Sequence, residues 1–394
     1  MPTRFARLLP LVLATVATQS AIVVLAPLVV EIGRDLGASV SAVGLARSVL
    51  AGVAVAVSLA IGPLIDRIGP PPLIRIGALL ALAGAAATAA APSLATFYAA
   101  HALTGAGVAC LLSAGFAGVA ALFPERDAAW AMGYVVGAQS IAWIAGNPII
   151  GLLADHGSWR LAYAVPATIA ALALAAGLVA PRGTSGVSDG ARAGLAAVLR
   201  DDSARRWALA ELVAYSAWTA ELTYAGAFYV QSYGTSETAV GVLLAAGSVV
   251  FLLASLNTAR LVRRVPRRPT IAAAALAMGA MLVPVLNLTP SVAFTLALFC
   301  VMALFAGIRS TGSSALGLSQ LRERPGSMMG ARTASAQLGY MIGAAAGGAV
   351  LAESGFGALG FVLFAGMAAS ALLVTRVRDP LSEAGGRLPE PVPD

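Results

Sequence analysis

Apolar runs of about 20 residues recur along the whole chain, parted by short polar breaks in which Arg residues gather. At 1.5 Å of rise per residue and a hydrocarbon core about 30 Å thick, each run is long enough to cross a bilayer as a helix. The pattern predicts spans over residues 8–30, 41–61, 73–91, 94–122, 130–154 and 160–180, and a second set over 206–231, 239–259, 270–288, 291–318, 328–352 and 357–375. Residues 181–205 are rich in Gly, Ser, Thr, Asp and Arg and predict a cytoplasmic linker, and 381–394 a cytoplasmic tail. The expected architecture is an all-α membrane protein of 12 transmembrane helices, six in residues 1–180 and six in 206–380.

The halves repeat one another at an offset of half the chain. Leu153-Ala154-Asp155-His156-Gly157 matches Leu351-Ala352-Glu353-Ser354-Gly355, Gln139 matches Gln337, and Leu64-Ile65-Asp66-Arg67-Ile68 matches Leu261-Val262-Arg263-Arg264-Val265, with Pro72 on Pro269. Tandem helical halves of this kind are a transporter architecture, with the substrate held between them near the midplane.

Composition removes the alternatives. The 394 residues are 59% hydrophobic and 11% charged, with mean hydropathy +0.86, whereas soluble domains carry about 25% charged residues. The net charge of +7 comes with no basic face or recognition motif, so no nucleic acid is expected as a partner. All 25 basic residues are Arg, which points to a GC-rich genome. Loops counted as inside hold 20 Arg residues, against Arg34 and Arg160 outside, which places both termini in the cytoplasm of a bacterial inner membrane. Arg4, Arg7 and the run Leu8 to Val30 read as a first anchored helix, since the run is too long for a signal core. Cys110 and Cys300 lie inside apolar runs and read as small buried residues, with neither disulfide nor metal site indicated. No nucleophile–base pair or phosphate loop appears, so neither enzyme nor cofactor is expected.

Two motifs carry a resemblance. Gly62-Pro63-Leu64-Ile65-Asp66-Arg67-Ile68-Gly69 resembles the short cytoplasmic loop signature of the major facilitator superfamily, departing from it at Pro70-Pro71-Pro72. Gly62, Asp66, Arg67 and Gly69 are its matching positions. Gly146-Asn147-Pro148-Ile149-Ile150-Gly151 resembles the fifth-helix signature of the exporter branches through Gly146, Pro148 and Gly151. Ser158-Trp159-Arg160 resembles the family's interfacial anchor. The resemblance implies a twelve-helix fold working by alternating access. It departs from the proton-coupled exporters at His101, where their fourth helix has Arg, and at Thr18-Gln19-Ser20, where their first helix often has an acid.

Ionisable groups at membrane depth are costly and functional by default. Glu211, Glu221, His101 and Arg309 qualify, with His101 roughly 10 Å and Glu221 roughly 15 Å below the outer surface. In the resembled fold helices 4, 7 and 10 line the central cavity, which brings His101, Glu221 and Arg309 together for proton coupling, Glu221 as carrier. The competing reading is a static Glu221–Arg309 ion pair. Glu211, close to Arg206, reads as a cytoplasmic interfacial contact. Gln19, Gln139, Trp143, Asn147, Trp218, Tyr224 and Gln337 are polar or aromatic groups in predicted spans, suited to orienting a substrate. A cavity with few fixed charges favours a lipophilic or weakly charged molecule. The expected function is proton-coupled efflux of drugs or amphipathic metabolites by a monomer. The alternatives are a carrier specific for an amino acid, sugar or nucleoside and, remotely, a non-transporting receptor or scaffold.

Overall fold

The computed structural model describes residues 4–123, 125–180, 191–261, 265–321 and 325–380, excepting the side chains at 59–67, 120, 125–126, 128–130, 132, 136, 191–195, 259–261, 325–327 and 329. Among the described residues every regular element is helical.

The first span is two helices, α1 (Arg4–Val23) and α2 (Leu25–Leu36), meeting at Val24. Pro27 offers no N–H to the Val23 carbonyl one turn earlier and its ring crowds that oxygen, so the axis breaks there. Next come α3 (Val40–Ile68), α4 (Pro70–Ala89) and α5 (Leu94–Leu122). Gly69, at φ 74°, divides α3 from α4, whose first turn holds prolines where a missing N–H costs nothing. Ser93 and Thr96 form a reciprocal capping box at the start of α5.

The fifth span consists of α6 (Glu125–Ile141), a π-helical turn (Ala142–Gly146) and α7 (Asn147–His156). Pro148 leaves the Ile144 carbonyl without its usual donor, and the wider turn absorbs the mismatch while Asn147 Nδ2 donates to the Trp143 carbonyl at 2.9 Å. The sixth is α8 (Trp159–Ala162) with α9 (Ala164–Val179).

The expected linker includes a helix. Its second portion forms α10 (Ala191–Arg200), whose Val198 is buried with Trp207, Val374 and Val377. Asp201 then caps α11 (Asp202–Tyr233) by accepting the Ala204 N–H at 2.8 Å. The second bundle therefore begins at 202, not at the expected 206. It continues through α12 (Glu237–Leu261), α13 (Arg267–Asn287), α14 (Val292–Leu318) and α15 (Pro325–Thr375). The last is 51 residues long and holds two predicted spans, joined at Gly355 (φ 75°, ψ −176°), a backbone region open only to glycine. Ten segments are long and apolar enough to cross a membrane. The two limbs of α15 count once among them, and α11, which carries Arg205, Arg206, Glu211 and Glu221, falls outside that set. A total of twelve therefore includes α11, about 48 Å long, and both limbs of α15.

Small residues let backbones approach within each half: a Cβ on Gly84 of α4 would strike Thr104 of α5, and one on Gly343 of α15 would strike the Ser216 carbonyl of α11. The halves meet through α3 with α15, α7 with α12, and α2 with α11. Toward the face opposite the termini a single apolar core runs through both halves, from Val23–Val30 to Leu282, Phe299 and Met367. Toward the face that bears the termini the core divides, one part holding Leu8, Leu73 and Val119, the other Trp207, Ile271 and Val374. Among the described residues the apolar cores of the two bundles are thus joined at one face and separate at the other.

Candidate functional site

Near mid-membrane a stack of rings and guanidiniums passes from one half to the other. The guanidinium carbon of Arg47 on α3 lies 4.9 Å from the ring centroid of Tyr340 on α15. Tyr340 meets Tyr215 of α11 edge-on at 5.7 Å, and Arg309 and Arg332 each lie 5.6 Å from the Tyr215 ring. Glu211, 1% exposed, accepts on Oε1 from Arg309 Nη2 at 2.6 Å and from the Ser313 hydroxyl at 2.8 Å, while Arg332 Nε stands 3.9 Å from its Oε2. Two guanidiniums therefore share one carboxylate. Arg47 Nη1 donates to the Ile22 carbonyl at 3.0 Å, beside the α1–α2 break, and Nε of Arg47 and of Arg332 has no hydrogen-bond partner. A narrow crevice between the halves opens beside Arg47, lined also by Ile22, Ala26, Trp143, Thr219 and Thr223.

This arrangement corrects several expectations. His101, Glu221 and Arg309 do not converge. His101 sits inside the first half, where Nδ1 donates to the Phe97 carbonyl at 2.9 Å and Nε2 accepts from the Tyr163 hydroxyl at 3.4 Å, its ring 4.3 Å from Phe97. Glu221, 3% exposed, has Oε2 without a hydrogen-bond partner and lies within electrostatic reach of Tyr229. On a 100° per residue wheel it points away from the crevice faced by Thr219 and Thr223. Arg309 pairs with Glu211 and not with Glu221, so the static pair expected between them is absent and Glu211 is no interfacial residue. The expectation of few fixed charges fails with Arg47, Arg309 and Arg332 in one cluster.

Of the residues expected to orient a substrate, three meet. Trp143 Nε1 donates to Gln19 Oε1 at 3.2 Å, and Gln19 Nε2 donates to Gln139 Oε1 at 3.4 Å, a polar rail from α1 to the fifth span with Trp143 at the crevice. Asn147 is buried, with Oδ1 unpaired, where a Cβ on Gly241 would strike its backbone. Trp218 packs on Phe251 at 6.0 Å, and Gln337 is buried with Oε1 unpaired. The Tyr224 hydroxyl donates to the Ala344 carbonyl at 2.8 Å, its ring filling the space a Cβ on Gly44 would need, so it closes the interface and does not line the crevice. Of the fifth-helix motif, Gly146 ends the π turn, Pro148 follows it, and Gly151 abuts the Glu237 backbone. Of the loop motif, Gly69 parts α3 from α4 and Gly62 lies within α3, while the side chains of Asp66 and Arg67 lie outside the described residues.

Trp159 does not anchor at the lipid surface. It is 1% exposed, its N–H donating to Glu31 at 2.9 Å and its indole N–H to Asp35 at 3.1 Å, while Arg160 pairs with Asp35 at 2.5 Å and donates to the Ala91 carbonyl at 3.1 Å. The Arg160 hydrogen bond holds the Asp35 carboxyl below its ordinary range, and burial pushes that of Glu31 up, against the Trp159 N–H.

The residues that sequence reasoning missed are Arg47, Arg332, Tyr215 and Tyr340. Arg47 and Arg332 lie within the predicted spans 41–61 and 328–352, so the depth criterion that selected Arg309 reaches them as well.

Two halves of membrane-length helices, joined at one face around a charged crevice, define a transporter class. The family model of the Major Facilitator Superfamily matches residues 11–224 and 207–393, and the chain belongs to that family of multi-pass membrane transporters. It is similar to the multidrug resistance protein MdtM of Escherichia coli, 29% identical over 144 residues, which cover 36% of this chain and 35% of that protein. The MdtM of Salmonella typhimurium is 28% identical over 155 residues, 39% and 37% of the two chains. The matched stretch thus spans about a third of the length of these relatives. In fold the chain resembles a bacterial homologue of the human lysosomal transporter Spinster, in an inward-facing and unoccupied conformation. The TM-score is 0.71 at 14% identity, covering 95% of this chain and 96% of that one.

Proposed function

We propose that the chain is a proton-coupled exporter of drugs or amphipathic small metabolites, working as a monomer by alternating access in a bacterial inner membrane with both termini cytoplasmic. The observation that carries the export reading is the similarity to MdtM, a multidrug resistance protein. The divided core supports alternating access: rocking one half on the other breaks the α7–α12 and α3–α15 contacts and leaves each inner core intact. Glu221 is the proton carrier in this reading. Its carboxyl is buried without a cationic partner among the described residues, and a proton removes the cost of an isolated charge among apolar helices. Arg309 holds Glu211, His101 ties the fourth span to the sixth, and the Gln19–Gln139–Trp143 rail orients the substrate.

Purified protein in liposomes with an imposed pH gradient tests this, screened against a chemically diverse panel. Gradient-driven movement is expected, falling at least tenfold in Glu221→Gln. A wild-type rate in that variant removes Glu221 from the mechanism, and movement indifferent to the gradient ends the antiport reading. The absence of an acid at Thr18-Gln19-Ser20 favours a second reading, a carrier specific for an amino acid, sugar or nucleoside.

A further inference from the structure

We propose that the transported molecule is an amphipathic anion, a carboxylate on an apolar body, whose charge is held by Arg47 and Arg332 against the rings of Tyr340 and Tyr215. The inference rests on the transport reading and names its substrate class. Glu211 binds Arg309 at 2.6 Å and stands 3.9 Å from Arg332, so the one carboxylate is divided between two guanidiniums, Arg47 has none, and the cluster carries an excess of positive charge. Arg47 is 7% exposed and has no carboxylate partner in the described residues: its contacts are the Ile22 carbonyl and the Tyr340 face. Burying a charge on so little compensation is costly, and such cost is retained where a ligand supplies the counter-charge. Arg47 and Arg332 each keep an unpaired Nε, and an Arg fork matches the planar oxygens of a carboxylate. Arg332 keeps 24% of its side chain exposed, and Tyr215 and Tyr340 are half-buried, so the cluster is reachable from the gap between the divided cores. The crevice beside Arg47 supplies the apolar partner surface, with Ile22, Leu25, Leu222 and the Trp143 ring along it. A cation meets repulsion from two guanidiniums at the same place, and a neutral molecule leaves them uncompensated.

The test is binding to the purified full-length protein, read by tryptophan fluorescence and by the shift in melting temperature. The probes are carboxylates from benzoate to dodecanoate, each paired with its primary amide and its amine. The acid of at least one pair is expected to bind ten times or more tighter than its amide, with its amine weaker still. Arg47→Gln is expected to weaken the acid at least tenfold and leave the amide unchanged, with Arg47→Lys intermediate. Should R47Q not fold, Arg332→Gln at the exposed end of the cluster carries the same expectation. Amides or amines that bind as tightly as the acids, acids that show no saturable binding, or acids indifferent to both variants overturn the proposal. Gradient-driven transport of an amine with no acid binding keeps the exporter reading and discards the anion. Tight acid binding without movement across liposomes does the reverse.

Discussion

The carboxylate of Asp155, at the end of α7, accepts the backbone N–H of Glu237, at the start of α12, at 3.0 Å, and that of Thr238 at the same distance. A side chain of one half thereby caps a helix of the other, where the charge also meets the positive end of the helix dipole. Ser48 donates to the Met341 carbonyl at 2.8 Å nearer the midplane, so closure at this face rests on few polar contacts and much apolar packing.

Replacing Asp155 with Ala removes two charge-assisted bonds and is expected to weaken closure by about 2 kcal/mol, roughly thirtyfold in population. Spin labels on His156 and Ser236, both exposed, read the separation. A distance distribution identical to that of the unsubstituted protein refutes the capping role.

Gly151 and Gly241 allow α7 and α12 to touch backbone to backbone: a Cβ on the first meets the Glu237 carbonyl, on the second the Asn147 carbonyl. Gly241→Val is expected to hold this face open and cut transport at least tenfold with normal membrane insertion. Transport at the parental rate shows that the contact is dispensable.

Glu211 and Arg309 are a buried pair, and removing one partner strands the other. Glu211→Gln is expected to cost about 3–5 kcal/mol in stability, and the double change Glu211→Gln with Arg309→Met to recover most of it. Thermal unfolding in detergent measures both. A loss in the double variant equal to the sum of the losses in Glu211→Gln and Arg309→Met alone shows that the pair is not coupled.

Asp35 titrates below its ordinary range because Arg160 and the Trp159 indole donate to it. Its stabilising contribution is therefore full above the unfolded carboxylate value near 3.9 and is lost as pH falls through the lower folded value. The pair is half-exposed, which limits it to below about 1 kcal/mol. Asp35→Asn is expected to lower the melting temperature slightly and equally from pH 8 to about pH 5, and the gap to narrow as pH falls below the ordinary carboxylate value near 3.9. A gap that widens as the pH is lowered contradicts the assignment.

The helices were legible because a bilayer demands long uninterrupted apolar runs, and Pro27, Pro148 and Gly355 mark their breaks by local chemistry alone. Less was legible of the charged cluster. Glu211 reads as interfacial when the helix is started at Arg206, but Asp201 caps it at 202 and α10 packs beneath it, which sinks Glu211 further into the membrane. The Glu211–Arg309 pair joins residues 98 apart, and Arg47 reaches Tyr340 across the two halves, contacts that no local pattern encodes. Glu221 shows the same limit: its depth follows from counting, but the side of α11 it faces depends on which helices surround it.

The single-residue corner at Gly355 leaves almost no slack between the last two membrane-length limbs. A protease site or an epitope inserted there strains both limbs at once, because no loop exists to take up extra length. Surface reporters for that face belong instead in the Asn287–Ser291 connection, where Leu288 leaves the helix in extended backbone and Ser291 starts the next one.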